Sequence, residues 1–260
     1  YLSPKTNSKH TVHRLQQRIF VLNPNKVAAC RELVDVHKKR GDKILVFSDD
    51  IFALKRYAEL LQVPMLYGDT PAADRLQIIS GFKTSPTENV ICISSVGDTS
   101  IDLPECAVII QVASHFGARR QEAQRLGRVL RPKAGPQLHD GYNAYFYSLV
   151  STETREMYFA HRRQRYLQDQ GYTYKILTRL LDWEHPDIEN KARDDGKPVF
   201  LSQHEQKALL IKLLDEAVSK DDVNQYDQAQ LNQDEEHDGD YAYFDSFQES
   251  GYVAPGASTA

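Results

Sequence analysis

The feature that most restricts the fold of this chain is a succession of short apolar runs separated by segments of helical periodicity. Lys43-Ile44-Leu45-Val46-Phe47, Met65-Leu66-Tyr67, Val90-Ile91-Cys92-Ile93, Ala107-Val108-Ile109-Ile110 and the aromatic stretch from Asn143 to Leu149 all read as strands. Their apolarity is nearly continuous rather than alternating, which is the pattern of strands covered on both faces and therefore of a parallel sheet. The intervening segments read as helices. Asn23 offers a cap, Pro24 takes the first helical position, and Val27, Cys30, Leu33 and Val34 recur at helical spacing until Gly41. Further helices are predicted from Ile51 to Leu61, and from Ala72 to Phe82 with Leu76, Ile79 and Phe82 turned inward. Two more are predicted from Ala118 to Leu130 and from Thr152 to Gln170. Strands alternating with helices imply an α/β fold, a mostly parallel sheet with helices on both faces.

Composition bounds the rest. At 260 residues, 41% of them hydrophobic, the chain has room for one large domain or one domain plus extensions. No stretch approaches the ~18 apolar residues of a membrane span, and Tyr1 to His10 carries no secretory signature. Cys30, Cys92 and Cys106 lack CxxC spacing, which argues against a disulfide framework or a cysteine zinc site and fits a reducing compartment. The nine histidines show no ligand spacing, so no metal site is expected.

The net charge of −4 averages over a strong asymmetry. Residues 1–114 hold 14 basic and 12 acidic side chains, residues 115–180 hold 12 and 5, and residues 181–260 hold 6 and 19. The middle is suited to face a polyanion and the end is an acidic extension. The expected organisation is a lead-in over 1–22, a lobe over 23–181, an extension over 182–220 and an acidic, disordered tail over 221–260. Within the extension, Ser202 with Glu205 makes a capping box ahead of Leu209, Leu210, Leu213, Leu214 and Val218, an amphipathic helix. Tyr241, Tyr243, Phe244 and Tyr252 could anchor the tail on a partner, or the tail could simply be solvated.

Two segments carry chemistry. Gln124-Arg125-Leu126-Gly127-Arg128-Val129-Leu130-Arg131 spaces three arginines at i, i+3 and i+6, a spiral stripe of forked guanidiniums on a helix. Gly127 removes a side chain beside Arg128 and lets another surface approach. On residue type alone this could be a solvated basic helix; its full spelling, however, resembles the sixth motif of superfamily 2 helicases. The second segment, Ser94 to Pro104, lies between two strands and is rich in small hydroxyl and glycine residues that free backbone N–H groups for phosphate oxygens. It resembles the fifth motif of the same superfamily, with Ser100 in place of the usual glycine. Ile44 to Ser48 resembles the fourth motif, and Tyr67-Gly68-Asp69-Thr70 with Arg75 and Phe82 resembles the element after it. Taken singly, Ser48 and Thr70 could be plain caps or turns.

Over residues 94–172 the spelling resembles, more narrowly, the eukaryotic XPB family, the translocase subunits of the transcription and repair factor TFIIH. That resemblance implies a RecA-like second helicase lobe, nuclear location, and ATP-driven movement on duplex DNA in promoter opening and nucleotide excision repair. It implies that Arg128 and Arg131 reach a γ-phosphate, where arginine fingers are worth about 10³–10⁵ in rate, with Gln124 and Arg125 placing them. Ser100 and Asp102 would sit on the nucleotide side, and Ser94, Ser48 and Thr70 on the DNA backbone. The implied cofactors are ATP and Mg2+, held mainly by an N-terminal helicase lobe of the same protein; the implied partners are that lobe, duplex DNA and other TFIIH subunits.

The phosphate-cradling GxxxxGK[ST] loop is absent from the sequence, as is an apolar strand ending in DExH. Asp234-Glu235-Glu236-His237 copies the lettering but follows polar residues in the acidic tail. The chain alone is therefore expected to hydrolyse ATP negligibly. His115 reads either as a residue coupling DNA and nucleotide sites or as an ordinary loop histidine. Arg162, Arg163 and Arg165 either line a DNA channel or solvate their helix. A rival function is a non-catalytic docking or regulatory module that meets partner subunits through the tail and the 203–218 helix. An RNA helicase lobe fits the general motifs but not the 94–172 spelling.

Overall fold

The computed structural model describes residues 16–94, 106–113, 144–177 and 203–219. Five strands alternate with helices: α1 (Pro24–Lys39), β1 (Ile44–Phe47), α2 (Ile51–Leu61), β2 (Met65–Leu66), α3 (Ala72–Thr84), β3 (Val90–Ile93), β4 (Val108–Gln111), β5 (Tyr145–Ser148), α4 (Arg155–Asp169) and α5 (Gln203–Ser219). The sheet order is β2-β3-β1-β4-β5 and every pairing is parallel. The α/β expectation holds. β1, β3 and β4 are buried along their whole length, as their unbroken apolarity requires.

Alternate residues of each strand serve opposite faces. Ile44, Val46, Val90, Cys92, Val108 and Ile110 pack with Val27, Cys30 and Leu33 of α1 and Leu54 and Tyr57 of α2. Leu45, Phe47, Ile91, Ile93 and Ile109 pack on the other side with Phe82, Ile78 and Ile79 of α3. Helices therefore cover both faces. Val21 and Leu22, from the segment expected as a lead-in, are buried in the first of these cores, and the Tyr57 hydroxyl donates to the Val21 carbonyl at 2.9 Å. Leu209 of α5 packs against the same core, and α5 lies against α1.

Local chemistry sets the helix ends. Asn23 accepts from the Asn25 amide at 3.0 Å and Pro24 supplies the first helical turn. Gly41, with φ of 78°, closes α1, and the Asp42 amide returns to the His37 carbonyl. Asp50 caps α2 through the Ala53 amide at 2.8 Å. The left-handed position after α2 is taken by Gln62, with φ of 55°, where glycine is the usual choice.

One packing expectation fails. Leu76, expected inward, is 71% exposed. Measured from Phe82 at about 100° per residue, Ile78, Ile79 and Arg75 fall within about 60° of the buried line, whereas Leu76 sits about 120° away. The stripe continues through Arg75, whose guanidinium lies under the Tyr67 and Gly68 carbonyls at 3.3 and 3.4 Å. The expected helix from Ala118 to Leu130, the Ser95–Pro104 part of the fifth-motif segment, the capping Ser202 and the 221–260 tail lie outside the described residues.

Candidate nucleic-acid and nucleotide interface

All five strands point the same way, so all five exits lie along one edge of the sheet. The register places Phe47 beside Ile93 and Gln111, and Gln111 beside Ser148. Ser94, Ser48, Gln111 and Ser148 therefore form a row across that edge, with the Tyr67–Thr70 turn at its end. The chain leaves β1 toward β2 but leaves β4 toward β5. The ends of β1 and β4 thus flank a topological switch point, where open parallel sheets bind ligands.

The three expected backbone-contacting residues in the described part differ in how they are held. Ser48 is fully buried; its amide donates to the Ile93 carbonyl at 3.2 Å and its hydroxyl to the Asp50 carbonyl at 3.0 Å. That hydroxyl shapes the entry to α2. Thr70 accepts from the Tyr67 amide at 3.0 Å, and its own amide donates to the Tyr67 carbonyl, which together with Arg75 fixes the turn. Ser94 is fully buried with its amide on the Leu66 carbonyl at 3.0 Å, while its hydroxyl has no partner among the described residues. A buried hydroxyl left without any partner would cost about 1–3 kcal/mol. The other site candidates, Ser100, Asp102, Gln124, Arg125, Arg128 and Arg131, lie outside the described residues, as do His115 and the Arg162 side chain.

The edge carries further polar residues: Gln111, for which no role was expected, and Arg163, expected to line a DNA channel or solvate its helix. Gln111, 2% exposed, presents a side-chain oxygen that has no partner among the described residues. It ends an apolar strand, and a buried carboxamide there was the available signal. Arg163 turns its guanidinium back to the sheet, donating to the Ser148 hydroxyl at 2.8 Å. It is buried, whereas Arg165 on the same helix is exposed. A small cleft at the ends of β4 and β5 is lined by Gln111, Ser148, Glu156, Phe159 and Arg163.

Beside that cleft lies a buried ion pair. Lys26 of α1 reaches both oxygens of Glu156, at 2.6 and 2.8 Å, and the Val112 carbonyl at 3.2 Å. Burial pushes the Lys26 ammonium below its ordinary pKa; Glu156 opposes that push through charge and hydrogen bonding, and Arg163 adds to it. Glu156 also accepts from the Ser151 amide at 2.8 Å, and Ser151 donates to the Phe20 carbonyl at 2.7 Å. The partners are 86 and 130 residues from Lys26 in the chain, beyond any local pattern. The one local hint is a cation in the first turn of α1, where the helix dipole disfavours it.

Among the described residues, no three His, Cys, Asp or Glu side chains converge to hold a metal ion. No described helix is long and apolar enough to cross a membrane.

Residues 5–241 match the model of the ERCC3/RAD25/XPB C-terminal helicase family. The chain belongs to that family. A Danio rerio relative described as general transcription and DNA repair factor IIH helicase/translocase subunit XPB is 48% identical over 215 residues, covering 82% of this chain and 26% of that protein. The Saccharomyces cerevisiae XPB/SSL2 subunit is 46% identical over 201 residues, covering 77% of this chain and 22% of that protein. This XPB-family chain spans about a quarter of the length of these curated relatives. Looser backbone likenesses include T4 UvsW, with a TM-score of 0.48 at 13% identity over 64% of this chain and 36% of that one. Another is Mss116p DEAD-box helicase domain 2 bound to an RNA duplex, with a TM-score of 0.46 at 13% identity over 74% of this chain and 71% of that one.

Proposed function

We propose that this chain is the second, RecA-like lobe of an ATP-dependent DNA translocase, working in the nucleus within a TFIIH-type assembly in promoter opening and nucleotide excision repair. The observation that carries the reading is the family match over residues 5–241, combined with a single sheet edge from which the two motif-bearing segments depart. Ser94 follows β3 and opens one of them; Gln111 ends β4, and the chain from there leads to the other.

In this reading Arg128 and Arg131 neutralise charge at the γ-phosphate, and Gln124 and Arg125 set their position. Ser100 and Asp102 face the nucleotide. Ser94, Ser48 and Thr70 serve the DNA backbone, Ser48 and Thr70 by shaping the turns that present it and Ser94 through its uncommitted hydroxyl. Contacts of this kind carry affinity rather than sequence preference, because phosphate neutralisation dominates non-specific binding. ATP supplies the phosphoryl group and Mg2+ the counter-charge, and both are held mainly by the first helicase lobe, since the chain has neither a GxxxxGK[ST] loop nor a strand-borne DExH. Closure of the two lobes around nucleotide would turn hydrolysis into steps along one strand.

The test joins this lobe to the first one and measures ATP turnover with duplex DNA. Arg128→Ala and Arg131→Ala should each lower kcat by about 10³-fold or more, with duplex DNA stimulating better than RNA. Unchanged turnover in both variants would favour a non-catalytic platform, and a preference for RNA would favour an RNA helicase lobe.

A further inference from the structure

The cations near the ends of β1 and β2 differ in how they are committed. Arg18 lies 3.5 Å from Asp50 and stands over the Phe52 ring. Arg56 pairs with Glu59 at 2.6 Å, and Arg75 lies under the Tyr67 and Gly68 carbonyls. Lys55 of α2 has no such partner. Its ammonium stands 5.3 Å from the centre of the Tyr67 ring, and among the described residues its three N–H donors meet no carboxylate, carbonyl or hydroxyl. A ring face attracts the charge through its quadrupole without supplying a hydrogen-bond acceptor. The ammonium is thus steadied in place while its donors stay available to an anion. Both residues are partly exposed, so an anion in solution can reach the pair.

Tyr67 is itself held firmly. Its amide donates to the Thr70 hydroxyl at 3.0 Å, its carbonyl accepts from the Thr70 amide at 3.1 Å, and its ring packs on the core that α1 and α2 cover. It directly follows Leu66, whose carbonyl receives the Ser94 amide at 3.0 Å. The Lys55–Tyr67 pair therefore stands on the same strand-exit edge as Ser94, Ser48 and Thr70, at its β2 end, with β3 and β1 between β2 and β4. Ser48 donates to the Asp50 carbonyl and Thr70 accepts the Tyr67 amide, so both serve the shape of their turns and neither brings charge. Affinity for a nucleic-acid backbone comes chiefly from cations that neutralise phosphates, and Lys55 supplies one whose donors are not already taken.

We infer that Lys55 contacts a backbone phosphate of the DNA at the β2 end of this edge, with Tyr67 as the positioning residue that aims it. The inference rests on the proposed function, which brings duplex DNA to the edge, and it assigns one further contact there. A compact ammonium reads charge and not base identity. The contact adds affinity evenly across sequences and leaves a salt-dependent signature.

The experiment uses the full-length protein with both lobes and measures its affinity for labelled duplex DNA by fluorescence anisotropy, from about 50 to about 200 mM salt. Lys55→Gln should make the slope of log affinity against log salt shallower by about 0.9, the value of one phosphate contact, and weaken binding roughly five- to tenfold near ~0.1 M salt. Lys55→Arg keeps the charge and should keep the slope. Lys83→Gln makes the same change of charge on an exposed residue in the last turn of α3, beside Ser85, whose carbonyl binds Lys43 at the start of β1, and so near the opposite edge of the sheet. It should leave the slope as it is. Tyr67→Leu should weaken binding in the wild-type background and have almost no effect beside Lys55→Gln, because residues acting as one unit are non-additive. An unchanged slope in Lys55→Gln, or an equal change in Lys83→Gln, would overturn the phosphate contact, and equal losses from Tyr67→Leu in both backgrounds would overturn the aiming role. If the wild-type protein shows no salt-dependent binding of duplex DNA, the proposed function fails; if it does and Lys55→Gln matches it, only the Lys55 assignment fails.

Discussion

His37 Nε2 lies 2.8 Å from the Tyr147 hydroxyl, joining the last turn of α1 to the edge strand β5 across the core. On its other side His37 Nδ1 lies 2.7 Å from Asp42, the residue that leads into β1. In the neutral ring, a proton on Nδ1 directed to the carboxylate leaves Nε2 to accept from the phenol. His37 is fully buried and Tyr145 and Tyr147 lie nearly parallel beside it, at 4° between planes. Tyr147→Phe keeps the ring and removes the hydroxyl that meets His37 Nε2, which should cost about 0.5–1.5 kcal/mol. Denaturant unfolding of the two proteins measures it, and equal midpoints would refute the load placed on this contact.

The serines at the ends of β1 and β3 make a matched pair with opposite expected behaviour. Ser48→Ala removes the bond to Asp50 O and should destabilise the lobe by about 1 kcal/mol. Ser94→Ala removes a buried hydroxyl with no described partner, so stability should hold or rise. In the two-lobe protein, the same Ser94→Ala should weaken duplex DNA binding. Thermal unfolding and fluorescence anisotropy in parallel check the two halves, and a destabilised Ser94→Ala with unaltered DNA affinity would contradict both.

Gln62 holds a left-handed backbone at φ of 55° and is exposed. An L-residue there carries about 1–2 kcal/mol of strain that glycine avoids, partly offset by glycine's greater freedom in the unfolded chain. Gln62→Gly should therefore raise stability by about 0.5–1 kcal/mol. A lowered unfolding midpoint would rule this out.

Cys30, Cys92 and Cys106 are buried and form no disulfide. Burial pushes the Cys30 and Cys92 thiols up from their ordinary value of 9.0, with the charge of Cys92 a further cause at Cys30. In the folded state they stay protonated where the unfolded chain has begun to lose those protons. Their contribution is thus complete below pH 9 and is lost as pH rises above it, at up to about 1.4 kcal/mol per pH unit for each thiol. Unfolding at pH 8 and pH 10 should show the decline, and Cys92→Ala should make it shallower. Alkylation of the native protein should proceed only as fast as it opens, and rapid labelling of the folded chain would contradict the burial.

The boundaries of α1 and α2 were readable because their signals are local. Asn23, Pro24, Gly41 and Asp50 each act within three residues of themselves. β1, β3 and β4 were readable for a related reason, since burial on both faces makes them almost continuously apolar. Leu76 was misread because Arg75, a charged residue, occupies the inward line that apolarity alone would give to its neighbour. Lys26, Glu156 and Gln111 were missed because their meaning depends on which distant elements the topology brings together. Sequence spelling marked the arginine segment, whereas Lys26 and Glu156, which meet beside the end of β4, stand 130 residues apart in the chain.

The central strand also sets a schedule for synthesis. Ile44 pairs with Val90 on one side and Val108 on the other, so both neighbours of β1 follow it by some 46 and 64 residues. At a translation rate of roughly 5–20 residues per second, Ile-Leu-Val-Phe leaves the ribosome about 3–13 s before its second neighbour exists. Until β3 follows some 46 residues later, this wholly buried apolar strand has no neighbour to pair with, and it is a segment for which a nascent-chain chaperone would compete.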